Sequence, residues 1–242
     1  AKVSLAANLM GSYQKSEQSA YIKDMTIKQS GKVQVASYLN EELDYGAKAY
    51  LGESAKKAQG VNVSIEGIGI KANTAVAIAG AVNYAYLRNV DVTSSGEADI
   101  TVKGTSYALA DLPSGSSISG ISLGVNVMYA YAKGDYRAFA ENSKITANSL
   151  KVYNRYETVS KAKSVQPNGG VKASLISVTV NVAHSTSETT ATAYLSNTIA
   201  DIKGDAEVSA VTYKATSEAV IGSAVITISG IEIGVSVAES FL

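Results

Sequence analysis

The chain has 242 residues, of which 46% are hydrophobic and 17% are charged, so it can bury a core and is not disordered. Lys and Arg together number 21, as do Asp and Glu, and this balance argues against a strongly basic protein of the kind that binds nucleic acids or anionic membranes. The absence of Cys and the presence of a single His exclude disulfide frameworks, thiolate zinc sites and multi-histidine metal clusters.

The first predicted element is an alternating apolar run around Asn8. A motif of Ala, an aromatic residue, two variable residues and Asp follows it, at Ala20-Tyr21-Ile22-Lys23-Asp24. The same two elements recur along the chain, and Asn or Asp ends each motif. Such periodic self-similarity is typical of repeat architectures. The Asn and the aromatic residue are always thirteen residues apart, at Asn8 and Tyr21, Asn73 and Tyr86, Asn126 and Phe139, and Asn181 and Tyr194.

The spacing of these motifs gives the repeat boundaries. The first unit spans about 1–65 and carries about ten extra residues, which we expect to project from the array between Ala36 and Gly60. Shorter units follow at about 66–118, 119–173 and 174–228, and a fifth begins at 229–242. Pro113 and Pro167 mark the same turn in two consecutive units, since Pro fixes φ.

Each unit is predicted to contain three to five strands and no helix. In the segment from Lys172 to Ala183, the residues Ile176, Val178 and Val180 alternate with small or polar residues, which is the period of a β-strand. The expected fold is therefore all-β, a repetitive β-solenoid in which four units of about 55 residues, and the start of a fifth, stack on one another. Tandem β-sandwich modules are the alternative, although a module of that size buries little surface without a disulfide or a metal.

In a solenoid, identical side chains lie above one another and form ladders. We therefore predict a structural role for the repeated Asn and aromatic residues, with the Asn amides bonded to one another. The chain also has fifteen Tyr against two Phe and no Trp, which favours an aromatic residue with a hydroxyl group. An exposed ribbon of Tyr129, Tyr131 and Tyr136 that binds sugars or protein is one interpretation of this bias. The other is that stacked Tyr fills the strands.

Three features of the repeat carry a resemblance to a known family: the alternating Val and Ala runs, the Ala-Tyr-Leu or Ala-Tyr-Ile motif, and the following run Gly204-Asp205-Ala206-Glu207-Val208. Together they resemble the repeat regions of large bacterial exoproteins of the filamentous haemagglutinin and leukotoxin type, which are secreted β-solenoid adhesins. The resemblance implies a rigid extracellular stalk or filament on a bacterial cell surface that carries adhesion. It also implies that the chain has no cofactor and no catalytic residue.

A carbohydrate-active β-solenoid enzyme or a carbohydrate-binding module is the alternative function. Glycosidases need two carboxylates, and the local candidates are Asp135 with Glu141, and Glu41-Glu42 with Asp44. Solvated charge is the other interpretation of these residues. Because no base, nucleophile or metal cluster stands out from the repeats, we predict no enzymatic activity, no cofactor and no metal site.

The expected partners follow from the repeat. Residues 1–13 and 231–242 are the same element, and neither has the polar composition of a solenoid cap. Open strand edges template pairing, so we expect end-to-end stacking with another copy or with further repeats of a longer chain. A host glycan or protein is the other expected partner. We expect no nucleic acid and no transmembrane helix, and an extracellular or cell-surface location.

Overall fold

The computed structural model describes residues 3–29, 31–39, 47–50, 65–112, 117–165, 170–222 and 225–242. Nearly all of these residues lie in β-strands, so the predicted all-β class is confirmed. Because these ranges contain no helix, none of their segments is a helical membrane span. In chain order the strands are β1 (Val3–Gln29), β2 (Val33–Leu39), β3 (Ala47–Tyr50), β4 (Ile65–Ser94), β5 (Glu97–Asp111), β6 (Ser117–Glu141), β7 (Lys144–Ala147), β8 (Ser149–Val165), β9 (Gly170–Ser196), β10 (Ile199–Ile202), β11 (Ala206–Gly222) and β12 (Val225–Phe241).

The longest strands form one parallel sheet, which we call the long-strand sheet. β1 pairs with β4, β4 with β6, β6 with β9, and β9 with β12. The short strands β7 and β10 extend the sheet, since β7 pairs with both β4 and β10. Within this register Asn73 lies opposite Asn8 and Asn126, and Asn181 lies opposite Asn126 and Ser236. Each strand therefore pairs with its equivalent one repeat away and not with its neighbour in the chain.

The remaining strands form a second parallel sheet. Its order is β11-β8-β5-β2, and β3 also pairs with β5. Equivalent repeat positions again lie opposite one another, as in the series Val33, Ala98, Leu150 and Ala206. A β-bulge between Thr212 and Lys214 interrupts the pairing of β11 with β8.

In each of the four repeats, the aromatic motif ends with one non-glycine residue that has a positive φ. These residues are Asp24, Asn89, Asn142 and Asn197, with φ between 46° and 55°. Asn and Asp enter this left-handed region more readily than other residues with a side chain. The recurring Asn or Asp of the motif therefore turns the chain at the end of the long run and starts the short strand that leads to the second sheet.

The core lies between the two sheets and has two parts. One part is built of larger side chains, including Leu87 and Val92 of β4, Ile100 of β5 and Val152 of β8. The other is dominated by alanines of β4, β5 and β6, as in the run Ala75, Ala77, Ala79. Small side chains allow the sheets to approach closely there, while the β-branched residues fill the wider part. The alternation of each strand supplies one buried face to this core.

The extra residues of the first repeat are divided between two places. Leu39 pairs with Gly104 and Ala47 with Ala108, so extra residues fall at 40–46, and the rest fall at 51–64. These two ranges, like Pro113 and Pro167, lie outside the described residues. The prediction of one projecting segment from Ala36 to Gly60 is wrong for 36–39 and 47–50, because both pair with β5.

Candidate functional site

The repeated asparagines form a chain of side-chain hydrogen bonds along the long-strand sheet, which we call the Asn ladder. Asn8 Nδ2 donates to Asn73 Oδ1 over 2.9 Å, Asn73 to Asn126 over 2.9 Å, and Asn126 to Asn181 over 2.8 Å. Asn181 Nδ2 then donates to Ser236 Oγ over 3.4 Å. Because each inner amide is both donor and acceptor, a shift of register by one residue breaks several bonds at once.

The aromatic motif residues stack in the same direction, and we call them the aromatic ladder. Ring centroids are 5.2 Å apart for Tyr21 and Tyr86, 4.9 Å for Tyr86 and Phe139, and 5.0 Å for Phe139 and Tyr194. The ring planes lie within 11° of parallel. The Arg88 guanidinium lies 5.1 Å from the centroid of Tyr86 and 5.8 Å from that of Phe139, so a cation lies beside the middle of the stack.

The turn residues form a second polar ladder, made of two bonded pairs, which the repeat pattern alone did not predict. Asn89 Nδ2 donates to Asp24 Oδ1, and Asn197 Nδ2 donates to Asn142 Oδ1, each over 2.7 Å. The hydrogen bond from Asn89, with help from Lys23, holds the pKa of Asp24 below its ordinary value. The recurring Asn or Asp at the end of the motif is the signal that could have found this ladder.

The prediction that Tyr136 is an exposed aromatic is wrong, because the residue is fully buried between the sheets. Its ring lies against Gly104 and Gly134, and a Cβ atom at either glycine would lie under 3.0 Å from ring carbons. Burial raises the pKa of its hydroxyl well above the ordinary value. Strand alternation explains the error, since Tyr136 shares the inner face with Ala138, whereas Tyr131 lies on the outer face.

Tyr129 and Tyr131 are partly exposed on the outer face of the long-strand sheet. The ring of Tyr129 stacks on His184 with centroids 5.2 Å apart. The Tyr131 hydroxyl donates to Glu188 Oε2 over 2.7 Å, and desolvation together with this carboxylate raises its pKa to about 12. Each thus contacts a residue of the next repeat, Tyr129 its equivalent His184 and Tyr131 the carboxylate of Glu188, and Tyr136 does not share their exposed face.

Two buried asparagines connect the sheets and were also missed. Asn83 of the long-strand sheet accepts from Ser37 Oγ and donates to the backbone oxygens of Ser37 and Lys103. Asn154 of the second sheet donates to the backbone oxygen of Tyr136 over 2.7 Å. Buried amides bonded across the interface in this way fix how one sheet lies on the other. Of the two, Asn83 is bonded through both its oxygen and its nitrogen, whereas Asn154 is bonded through Nδ2 and its Oδ1 has no hydrogen-bond partner within the described residues. An Asn within an alternating apolar run is the sequence signal that could have indicated a buried amide of this kind.

The structure does not bring the candidate carboxylates together. Arg137 binds Asp135 through two hydrogen bonds of 2.8 Å, and Glu141 accepts a bond of 2.7 Å from Arg88. Asp135 and Glu141 lie six residues apart on one strand, or about 20 Å at about 3.3 Å per residue. The two carboxylates of a glycosidase lie about 5–9.5 Å apart. Glu41, Glu42 and Asp44 lie outside the described residues.

The described residues contain no group of three or more His, Asp or Glu side chains arranged to hold a metal ion. No known protein family, no curated protein sequence and no solved structure matches the chain.

Proposed function

We propose that the chain is a β-solenoid of four repeats and the start of a fifth, and that it is a structural and adhesive element of a bacterial cell surface. The Asn ladder carries this proposal, because one repeat position stays in register across five parallel strands. Separate β-sandwich modules would close their hydrogen bonds within each unit. Here the parallel pairing runs between units in both sheets, which favours a continuous array.

The dimensions of the sheets favour a stalk or filament made by stacking. A long strand of about 21 residues before its turn extends about 70 Å, whereas five strands spaced about 4.8 Å apart rise only about 20 Å. One copy is therefore wider than it is tall. Elongation requires further strands on the edges of β1 and β12, which have no partner on their outer sides within the described residues. These strands come from another copy or from more repeats.

The outer face of the second sheet supports the adhesive part of the proposal. Lys103 lies over the ring of Tyr38, Lys151 over Tyr153, and Arg155 over the exposed ring of Tyr213 at 3.7 Å. Aromatic faces bind sugar rings and apolar side chains, while the adjacent cations bind carboxylates and sulfates. The same face carries the carboxylates of Asp99 and Glu207, which lie opposite Lys151 on the neighbouring strands, so its repeated feature is a cation beside a tyrosine ring and not an excess of positive charge. A host glycan or protein is the ligand that these pairs would bind.

We propose no enzymatic activity for the chain. The carboxylates of Asp135 and Glu141 are engaged by arginines and point to a role in holding adjacent repeats, since Tyr84 also donates to Asp135 over 2.8 Å. A glycosidase requires its two carboxylates about 5–9.5 Å apart, whereas Asp135 and Glu141 lie about 20 Å apart along one strand.

Electron microscopy and fibre diffraction of the purified chain test the proposal. We expect particles that elongate as protein concentration rises and that give a reflection near 4.8 Å along their long axis. Isolated round modules without that axial reflection would overturn the solenoid. Elongated particles that bind no host glycan or matrix protein would overturn the adhesive role alone.

A further inference from the structure

At the Asn ladder, the apolar residues of the long strands switch from one face of the sheet to the other. On the C-terminal side of the ladder, the face on which Ala75 and Met128 lie is buried against the second sheet. On the N-terminal side of the ladder, this same face carries small or polar residues such as Ser122 and Thr179, as strand alternation shows. The opposite face, directed away from the core, carries Val, Ile and Leu. The first part of each long strand therefore has its apolar residues on the side that the second sheet does not cover.

These outward residues form a regular array, which we call the apolar grid. On each of the five long strands the grid comprises every second residue, beginning with the first, of one range. The ranges are 3–9, 68–74, 121–127, 176–182 and 231–237. One row, for example, is Ile121, Leu123, Val125 and Val127. The register places these rows directly opposite one another. Of the twenty positions, Thr74 is the one that is not Val, Ile, Leu or Ala.

The grid is open to solvent within the described structure, and not only at its edges. Leu5 and Leu9 of the edge strand β1 are 77% and 81% exposed. On the interior strand β6, Leu123 is 37% and Val125 is 45% exposed. The apolar face is thus a property of every repeat and does not depend on which strand lies at the end of the sheet.

The size of the grid is compatible with a protein interface. Five strands about 4.8 Å apart and seven residues of about 3.3 Å give about 20 Å in each direction, or about 400 Å² of flat area. Monomeric proteins rarely expose a continuous apolar patch above a few hundred Å². Because the side chains project from the sheet, their solvent-accessible area is larger than this flat area and comes closer to the roughly 800 Å² per partner of a standard interface.

The chemistry of the grid and of its border favours another sheet as the occupant. Charged residues are absent from the grid, so it offers nothing to a charged ligand. Further along the same face the charges are balanced, as Lys133 is paired with Glu188, so an anionic lipid surface gains no net attraction. A flat array with rows about 4.8 Å apart fits a second array of the same spacing, because aligned sheets interdigitate about 10 Å apart.

We propose that the apolar grid packs face to face against the grid of a second copy, forming a dimer related by a twofold axis. The contact is lateral and leaves the edges of β1 and β12 free. It therefore differs from end-to-end stacking, and either contact can fail without the other. In the dimer, each row of Val and Ile is removed from water by the same rows of the partner.

Val180 lies near the centre of the grid, and Val180→Lys tests the dimer. By sedimentation, we expect the wild-type chain to be dimeric at micromolar concentration and the variant to dimerise at least about 100-fold more weakly, because it buries an unpaired charge. The matched control is Thr190→Lys, on the exposed outer face of the same strand but outside the grid. It should leave the dimer unchanged.

A second measurement does not depend on how well a lysine variant folds. The chain has no Cys, so Val180→Cys gives a single thiol that a bulky reagent can probe. We expect this thiol to be protected at high protein concentration and to react on dilution, while Thr190→Cys reacts at every concentration. A monomeric wild type, a thiol at 180 that reacts equally at all concentrations, or binding of monomers to neutral lipid vesicles through the grid would overturn the proposal.

Discussion

Asn126 donates its side-chain amide to Asn181 over 2.8 Å, although the two residues are 55 positions apart in the chain. Both lie on parallel strands at the same position of consecutive repeats, and Asn126 also accepts from Asn73. The pairing of strands and the pairing of side chains therefore specify the same register. An array with two independent determinants of register resists slippage, which simple alternation of Val and Ala does not prevent.

Replacing Asn126 with Ala should destabilise the fold. The change leaves the Asn73 donor and the Asn181 acceptor without their ladder partners, and we expect a loss of about 1–2 kcal/mol in the free energy of unfolding. Urea denaturation at neutral pH measures it. Thr190→Ala, at an exposed position on the same sheet, is the control and should change stability by less than about 0.5 kcal/mol. Equal effects of the two substitutions would show that the ladder does not stabilise the array.

The glycines beside Tyr136 should tolerate no side chain. Gly134→Ala places a Cβ under 3.0 Å from the buried ring, and overpacking of this kind costs about 1–3 kcal/mol. Gly11→Ala is the matched control, since nothing lies within 4 Å of a Cβ at Gly11. In a Tyr136→Leu background the cost of Gly134→Ala should fall, and a double-mutant cycle of unfolding free energies measures that coupling. Additive effects would contradict the packing described for Tyr136.

Asp99 should make stability dependent on pH at the acid end. Burial raises its pKa, but hydrogen bonds from Lys32, Thr101 and Gln34 outweigh that effect and hold the pKa below the ordinary value. A carboxylate whose pKa is lower in the folded state adds stability above its unfolded pKa of about 3.9, and this is lost as pH falls through the folded value. The unfolding free energy of the wild type should therefore decrease below about pH 4.

Two variants separate Asp99 from the other carboxylates. In Asp99→Asn the acid decrease in unfolding free energy should be shallower, because this group no longer titrates. In Lys32→Met the carboxylate loses the cation 2.7 Å away, so its folded pKa should rise toward the unfolded value. The variant should therefore be less stable at neutral pH, and its acid decrease in unfolding free energy should be smaller than that of the wild type. Acid unfolding curves identical to the wild type in both variants would exclude Asp99 as a contributor.

The cationic and aromatic face of the second sheet should carry ligand binding. Combining Lys151→Ala with Arg155→Ala removes the cations that lie over Tyr153 and Tyr213. We expect binding to immobilised sulfated or sialylated host glycans to fall at least tenfold, with the melting temperature little changed. Lys203→Ala changes charge at a turn away from this face and should bind as the wild type does. If Lys203→Ala weakens binding as much as the double variant, charge alone explains the interaction.

The sequence predicted the class of the fold and the alignment of repeats better than it predicted the faces of the strands. The constant offset between the Asn and the aromatic residue can be measured along the sequence. Parallel in-register pairing then places both residues opposite their equivalents on the next strand. Alternation identifies two faces but not which one is covered. For this reason alternation leaves open whether Tyr136 is exposed or fills the core, where the structure places it. It also gives no sign that the apolar face changes at Asn73 and its equivalents.

Interactions that depend on turns or on the second sheet were also beyond the sequence. The bond from Asn89 to Asp24 needs the left-handed turn conformation of both residues, which the motif suggests only once their φ is known. The contacts of Asn83 with Ser37 and Lys103 depend on how the two sheets lie on each other. That arrangement follows from packing in three dimensions and has no periodic signal.

Cross-linking through introduced cysteines tests the stacking of repeats most directly, because the chain contains no Cys of its own. Asn73 and Asn126 lie opposite each other on adjacent strands, whereas Asn73 and Asn181 are two strands apart, or about 9.6 Å. A disulfide requires Cα atoms within about 7 Å. Mild oxidation should therefore close an intramolecular disulfide in the double variant Asn73→Cys with Asn126→Cys, and not in Asn73→Cys with Asn181→Cys. Failure of the first pair to close, or equal closure of both, would contradict a continuous in-register array.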